Sequence, residues 1–344
     1  MSIEQYKNKG LTGLTNLGNT CFINSCMQVL SHTYELNNLL NNEDYKKRLN
    51  KKYDSVLLLE WDNLRKLMWS ENCIISPIKF LKTIQKLASI KNQDMFTGFN
   101  QNDLPEFLIF IIDCFHNSLA RSVEMDIIGT EKNDQDKMAM KCFQTIKQMY
   151  KNDYSEIWNM FYGIHISQLT SISTDELISI CPEPFFILNL SIPPDNKTPT
   201  LLDCFDLYVQ KEIFEGENAI FNEKINCKEA VSKNLTFWSF PTILVIDLKR
   251  FNNQNRKNQN LVTFPLENLD LSTYVSGYNK NKYVYDLYAV CNHSGNVLGG
   301  HYTSFVKNAN GKWYHYNDTS VSEIGMNSQI ITPKAYCFFY RKRD

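Results

Sequence analysis

The chain has 344 residues, 43% of them hydrophobic and 13% aromatic, enough apolar material for one large domain or two ordinary ones and too much for a disordered polymer. Its 36 Lys and Arg stand against 37 Asp and Glu, a formal net charge of -1. No global field therefore draws it to nucleic acid or to an anionic membrane, and a charged partner must be met by a local patch.

The chain opens on a polar lead, MSIEQYKNKG at 1–10, without the apolar stretch of a signal peptide. The segment GLTNLGNTCFINSCMQVL then reads as a Gly/Asn-rich turn entering a helix, with Phe22, Cys26, Val29 and Leu30 on one apolar face. Helical spacing recurs over 57–69, 77–87, 104–119 and 141–149. The most apolar run, 107–112, stops at Asp113, far short of a membrane span. From about Trp158 the pattern changes. Stretches at 161–172, 185–192, 240–251, 283–295, 301–308, 312–318 and 335–342 are short, β-branched and aromatic, with Gly, Pro or Asn between them. They predict an antiparallel β half, and the Asn-rich 252–260 predicts a solvated loop. Helices first and strands after, without βαβ alternation, give an α+β class.

Ten cysteines are scattered without framework spacing. In a chain of this size that predicts reduced thiols and an intracellular workplace, cytoplasmic or nuclear. Cys21 stands apart because it follows Gly18-Asn19-Thr20 and begins an apolar helical face. At a helix N-terminus, unpaired N–H groups and the dipole favour a thiolate. The other nine are expected to be small buried hydrophobes.

A thiol nucleophile needs a base, and His301, between Gly299-Gly300 and Tyr302, is the histidine with a setting for it. His32, His116, His165 and His315 read as surface or satisfied core residues, and His293 as part of a turn before Gly295. The imidazole in turn needs an acceptor for its other nitrogen. Asn317-Asp318 fits that role and fits a simple turn equally well. Asn16, Asn19 and Asn24 surround Cys21 in sequence and offer amides to a tetrahedral oxyanion.

Taken together, 13–21 with Asn24, Ser25 and Gln28 resembles the cysteine box of the ubiquitin-specific proteases. Residues 285–290, His293-Ser294-Gly295, Gly300-His301-Tyr302 and Lys312-Trp313-Tyr314 ending in Asn317-Asp318 resemble that family's histidine box. Between them lie 101–107, Leu248-Lys249-Arg250-Phe251 and Phe264-Pro265, in the family's order. The resemblance covers 11–343. It implies a single papain-like catalytic domain, with a helical thumb over about 11–157 and β fingers and palm over about 158–343.

The resemblance also implies roles: Cys21 as nucleophile, His301 as base, Asn317 in the third position with Asp318 assisting or substituting, and Asn16 as oxyanion donor. The substrate would be the tail of ubiquitin, Leu-Arg-Leu-Arg-Gly-Gly, for which Asp103 and Glu106 match acidic contacts. Gly299, Gly300 and Tyr302 would border the narrow passage for its glycines. Implied partners are ubiquitin and ubiquitinated proteins, with no nucleic acid and no membrane, and the chain is expected to act as a monomer. Many members hold zinc between two C-x-x-C pairs in the fingers, which here fall near 170–173 and 222–225 and contain no cysteine. No structural zinc and no other cofactor is expected. A protease for another ubiquitin-like modifier, or a ubiquitin-binding module without activity, are the alternatives.

Overall fold

The computed structural model describes residues 3–194, 198–222, 225–297 and 299–343. Its first part is helical: α1 (Cys21–Ser31), α2 (Tyr34–Asn41), α3 (Asp54–Ser70), α4 (Ile78–Ile90), α5 (Leu104–Leu119), α6 (Asp134–Asp153) and α7 (Glu156–Phe161). A parallel two-residue pair, β1 (Gly13–Leu14) with β2 (Ile74–Ile75), ties the lead to the end of α3. The helices at 57–69, 77–87, 104–119 and 141–149 are all present, with α6 extending well beyond its expected ends. Its N-terminus is set by Asn133, whose side chain accepts from the Asp136 amide.

The strands that follow are β3 (Gly163–Ser171), β4 (Leu177–Phe185), β5 (Ile187–Ser191), β6 (Glu212–Phe214), β7 (Ile220–Asn222), β8 (Cys227–Glu229), β9 (Val231–Ser239) and β10 (Ile243–Lys249). Then come β11 (Leu269–Asp270), β12 (Val284–Asn296), β13 (Gly299–Lys307), β14 (Trp313–Asn317), β15 (Ser320–Ile324) and β16 (Ala335–Lys342). The main sheet runs β15-β14-β13-β12-β16-β10-β5, with β11 on the flank of β12. A second sheet runs β4-β3-β9-β6, and β7 with β8 forms a hairpin of its own. Two features depart from expectation. One helix, α8 (Leu201–Tyr208), lies inside the β half on a Thr200/Asp203 capping box. And β5 pairs with β10 in parallel, because the chain leaves the main sheet after β5 for the second sheet before returning along the same direction.

The main sheet has two apolar faces. One packs against α1 and α7, with α3, α4 and α5 completing the same core behind them, Phe22 edge-on to Phe107 at 5.2 Å and Trp61 stacked on Phe115 at 6.3 Å. The other packs beneath α8 around Phe205, Phe264 and Phe338. Phe107 and Phe115 are fully buried, and truncating either to Ala costs about 3–5 kcal/mol. Helix α1 lies in the middle, and all of its 11 residues are buried, so the single apolar face read from Phe22, Cys26, Val29 and Leu30 understates its setting. Seven of the ten cysteines are buried; Cys73, Cys181 and Cys227 are exposed, contrary to expectation, and all ten are free. Among the described residues no helix is long and apolar enough to cross a membrane.

Candidate active site

The turn before α1 is shaped by its small polar residues. Gly18 and Asn19 hold φ of +103° and +53°, a region that Gly and Asn enter at low cost. The Asn16 side-chain oxygen accepts from the amides of Gly18 and Thr20, each at 3.1 Å. This fold-back delivers Cys21 as the first residue of α1, against the backbone of Tyr302 on β13. The thiol is 1% exposed. Burial pushes it above its ordinary value, and the nearby Asp318 carboxylate acts in the same direction. Burial and the Asp318 carboxylate thus oppose the thiolate that the helix terminus favours.

His301 stands near the start of β13 and Asn317 at the end of the adjoining β14. The His301 Nε2 donates to the Asn317 side-chain oxygen at 2.7 Å. Because that oxygen can only accept, the imidazole carries its proton on Nε2 and Nδ1 is left as the basic nitrogen.

Asp318 does something different. It holds φ of +49°, and its carboxylate accepts from Asn16 Nδ2 at 3.0 Å and from Asn24 Nδ2 at 2.7 Å. Its backbone oxygen accepts from the Leu14 amide at 2.9 Å. Gly13 allows this close approach, since a Cβ there would lie 2.3 Å from the Thr319 oxygen. Asn317 thus ends β14 against His301, and Asp318 forms the turn that follows while reaching Asn16 and Asn24. Asn19 donates to the Phe99 carbonyl at 2.9 Å, leaving Asn16 as the amide poised between the Cys21 turn and Asp318.

Beyond Tyr302 lies a cavity of about 290 Å³ whose walls include Gln101, Asp103, His293, Gly300, Tyr302 and Tyr336. Asp103 accepts from the hydroxyls of Tyr302 at 2.7 Å and Tyr336 at 3.3 Å, and burial pushes its carboxyl upward. Glu106, exposed one helical turn on, is raised by partial burial and by Asp103. A Cβ on Gly300 would lie 2.2 Å from His293 Nε2, whereas Gly299 is open apart from Gln101 at 3.6 Å. His293 is not in a turn: it is a buried residue of β12 whose ring packs 4.7 Å from that of Tyr302.

Gln101 was not singled out as a site residue, although it opens the 101–107 segment that was. Its side-chain oxygen accepts from the Gly300 amide at 2.6 Å and its Nε2 donates to the Gly300 carbonyl. It spans the cleft from the segment before α5 to β13.

Where β3 of the second sheet meets the β7–β8 hairpin, the positions aligned with zinc-binding pairs hold other chemistry. Ser171 donates to Glu229 at 2.9 Å and Asn222 donates to the other oxygen of the same carboxylate. These donors suit hydrogen bonding, not zinc, and the residues do not fit that metal; Glu223 and Lys224 lie outside the described residues. The cluster Asp54, Asp113 and Cys114 has the Lys91 ammonium beside its carboxylates, at 2.7 and 3.1 Å.

The model of the family described as "Ubiquitin carboxyl-terminal hydrolase" matches residues 12–340. Ubiquitin carboxyl-terminal hydrolase 2 of Bos taurus is 35% identical over 341 residues, covering 96% of this chain and 55% of that protein. The protein of the same name from Gallus gallus is 34% identical, covering 96% of this chain and 93% of that one. Among solved structures, a SAGA DUB module bound to monoubiquitin superposes with a TM-score of 0.75 at 25% identity, covering 100% of this chain and 71% of that one. The chain spans about half the length of the first relatives it matches, 54% to 55% for the mammalian proteins.

Proposed function

Because this chain belongs to the ubiquitin carboxyl-terminal hydrolase family, we propose that it is a deubiquitinase, a thiol hydrolase that cleaves the peptide or isopeptide bond after the C-terminal glycine of ubiquitin. The observation that carries this reading is the His301–Asn317 bond of 2.7 Å on the strand whose next residue, Tyr302, lies against the Cys21 thiol.

The chemistry then follows from the residues. Nδ1 of His301 takes the Cys21 proton as sulfur attacks the glycine carbonyl, so a buried neutral thiol becomes a nucleophile when the substrate is in place. The oxyanion forms at the N-terminus of α1, where backbone N–H groups and the Asn16 amide supply donors. Collapse breaks the C–N bond, and the imidazolium returns its proton to the leaving amine. Water, deprotonated by His301, then hydrolyses the thioester. Asn317 holds the tautomer throughout. Asp103 and Glu106 offer carboxylates to the two arginines of the tail, and Gly299, Gly300 and Tyr302 border the passage for its two glycines.

The chain is proposed to work as one catalytic domain over 11–343, as a monomer and without a metal, inside the cell where ten free thiols persist. Ubiquitin and ubiquitinated proteins are its proposed partners. The test is incubation of wild type and Cys21→Ala with ubiquitin bearing a C-terminal electrophile. A mass increase of one ubiquitin on wild type alone supports the reading; no adduct on a folded wild-type chain rejects it.

A further inference from the structure

The β12–β13 hairpin has two faces. Register pairs His293 with Tyr302, Ser294 with His301, and Asn292 with Thr303. Alternation along a strand therefore sends His293 and Tyr302 to one side and Asn292, Ser294, His301 and Thr303 to the other. The Tyr302 side borders the cavity that holds Asp103. The His301 side borders a second and larger one of about 590 Å³, which meets the first at His293 and is walled by His301, Asn317, His315, Asn292, Lys257 and Lys334 among others.

Three observations describe what this second cavity wants. First, Asn292 is 3% exposed and borders the cavity, and neither its side-chain nitrogen nor its oxygen has a hydrogen-bond partner. Such an amide is costly to leave unpaired, and a register shift between Cys291 and Asn292 in the β12–β16 pairing is the kind of bulge that re-aims a side chain. Second, the cavity is lined by two lysines and three histidines and by no carboxylate. Third, the positive groups oppose one another. Lys257 is pushed down to about 8 by burial and then by Arg250 and Lys334, and His315 is lowered by burial, Lys334 and His301. Lys257 already donates to His293 Nδ1 at 3.0 Å and to its carbonyl at 2.6 Å, so it is fixed at the wall, while Lys334 is exposed at the rim.

We propose that this cavity is an anion subsite on the leaving-group side of His301, where Asn292, Lys257 and Lys334 receive the side-chain carboxylate of an acidic residue next to the modified lysine of the conjugate. The inference rests on the deubiquitinase reading. The amine that departs must meet His301 to receive its proton, and the ubiquitin tail occupies the other face of the hairpin. The segment carrying the lysine is therefore left beside the His301 face, where two lysines and no carboxylate line the wall and an amide waits unpaired.

The test uses two ubiquitin conjugates on one peptide, identical except that the residues flanking the isopeptide lysine are Glu or Gln, with ubiquitin-aminocoumarin as a substrate lacking an acceptor chain. The readout is the ratio of kcat/KM for the Glu and Gln conjugates within each variant. Wild type is expected to favour Glu by about three- to tenfold, the size of one or two partly screened ion pairs. Lys334→Glu should reverse that preference and Asn292→Leu should reduce it. Millimolar inorganic phosphate should slow the Glu conjugate and leave the coumarin substrate alone. A wild-type ratio of one, or a ratio that Lys334→Glu leaves unchanged, overturns the subsite while coumarin hydrolysis keeps the activity standing. Equal inhibition of all substrates by phosphate assigns the cavity to a free anion acting on His301 and overturns the acceptor role. If wild type cuts none of the three, both readings fall together.

Discussion

Asn317 accepts a hydrogen bond from His301 at 2.7 Å, and its chain neighbour Asp318 turns its carboxylate instead to Asn16 and Asn24, at 3.0 and 2.7 Å. One residue bonds the proposed base and the next bonds the turn that carries Asn16, the proposed oxyanion donor. The two variants are therefore expected to fail differently. Asn317→Ala and Asp318→Ala should each lower kcat for a ubiquitin substrate, by roughly 10- to 1000-fold, the range for losing an orienting group or an oxyanion donor. Alkylation of Cys21 by iodoacetamide involves no oxyanion, so Asn317→Ala should slow it and Asp318→Ala should not. Equal slowing by both would contradict the division of roles.

The resting thiol is a second point of contact with experiment. Burial, aided by Asp318, holds Cys21 above the ordinary thiol value of 9.0. In the free chain its alkylation rate should still be rising with pH beyond that value. Removing the carboxylate in Asp318→Asn should move the profile to lower pH, because a negative neighbour opposes the thiolate. A plateau below neutral pH in the wild type would mean a resting thiolate and would reject this account.

Gly300→Ala places a methyl group where only 2.2 Å separates the Cβ position from His293 Nε2. The β12–β13 backbone must shift, at a cost of about 1–3 kcal/mol in stability. Displacing His301 and Tyr302 by a fraction of an ångström should lower kcat/KM by about 10²-fold. Thermal melting together with steady-state kinetics separates the two effects. Near-normal kinetics would show that the passage is wider than the structure makes it.

Asp247 in β10 is 7% exposed, and one of its carboxylate oxygens has no partner. Burial pushes its pKa well above 3.8, with Asp103 adding to the effect. An acid whose folded pKa is raised contributes stability below its unfolded pKa and loses that contribution as pH rises towards the folded value. Asp247→Asn should therefore raise the melting temperature at neutral pH, by the equivalent of about 1–3 kcal/mol. The gain should shrink as pH falls towards 4. A gain independent of pH would assign the effect to packing.

In place of zinc donors the Ser171–Glu229–Asn222 network links β3 to the β7–β8 hairpin. Prolonged dialysis against a chelator is expected to change neither turnover nor melting temperature, and elemental analysis of the purified chain should find no stoichiometric metal. Loss of activity on dialysis that zinc restores would reject this.

Much of the site could be read from the sequence because its signals are local. The Gly18-Asn19 turn, the apolar helix behind Cys21 and the diglycine before His301 each occupy a few consecutive residues, and 104–119 and 335–342 match α5 and β16 end to end. What escaped depends on distance. No local pattern says that Asp318 meets Asn16 and Asn24 across the fold, or that Gln101 reaches Gly300. His293 beside Gly295 looked like a turn because strand pairing, which buries it, is non-local. Helix α8 was missed although its Thr200/Asp203 cap was visible, since the strands around it dominated the reading. The pull against the Cys21 thiolate is non-local as well: the helix terminus is local, whereas the burial and the Asp318 carboxylate that oppose it come from the fold.

Helix α1 has no solvent-facing side. A rod gripped all round cannot slide or rotate without separating the helical layer from the sheet, so the sulfur is the fixed part of this machine. Any adjustment between resting and working geometry then belongs to the other partner, the β12–β13 hairpin, which is tied across the cleft by Gln101 at Gly300 and by Asp103 at Tyr302. Hydrogen exchange should reflect this asymmetry, slowest along α1 and faster at the hairpin, with the base travelling to a stationary nucleophile.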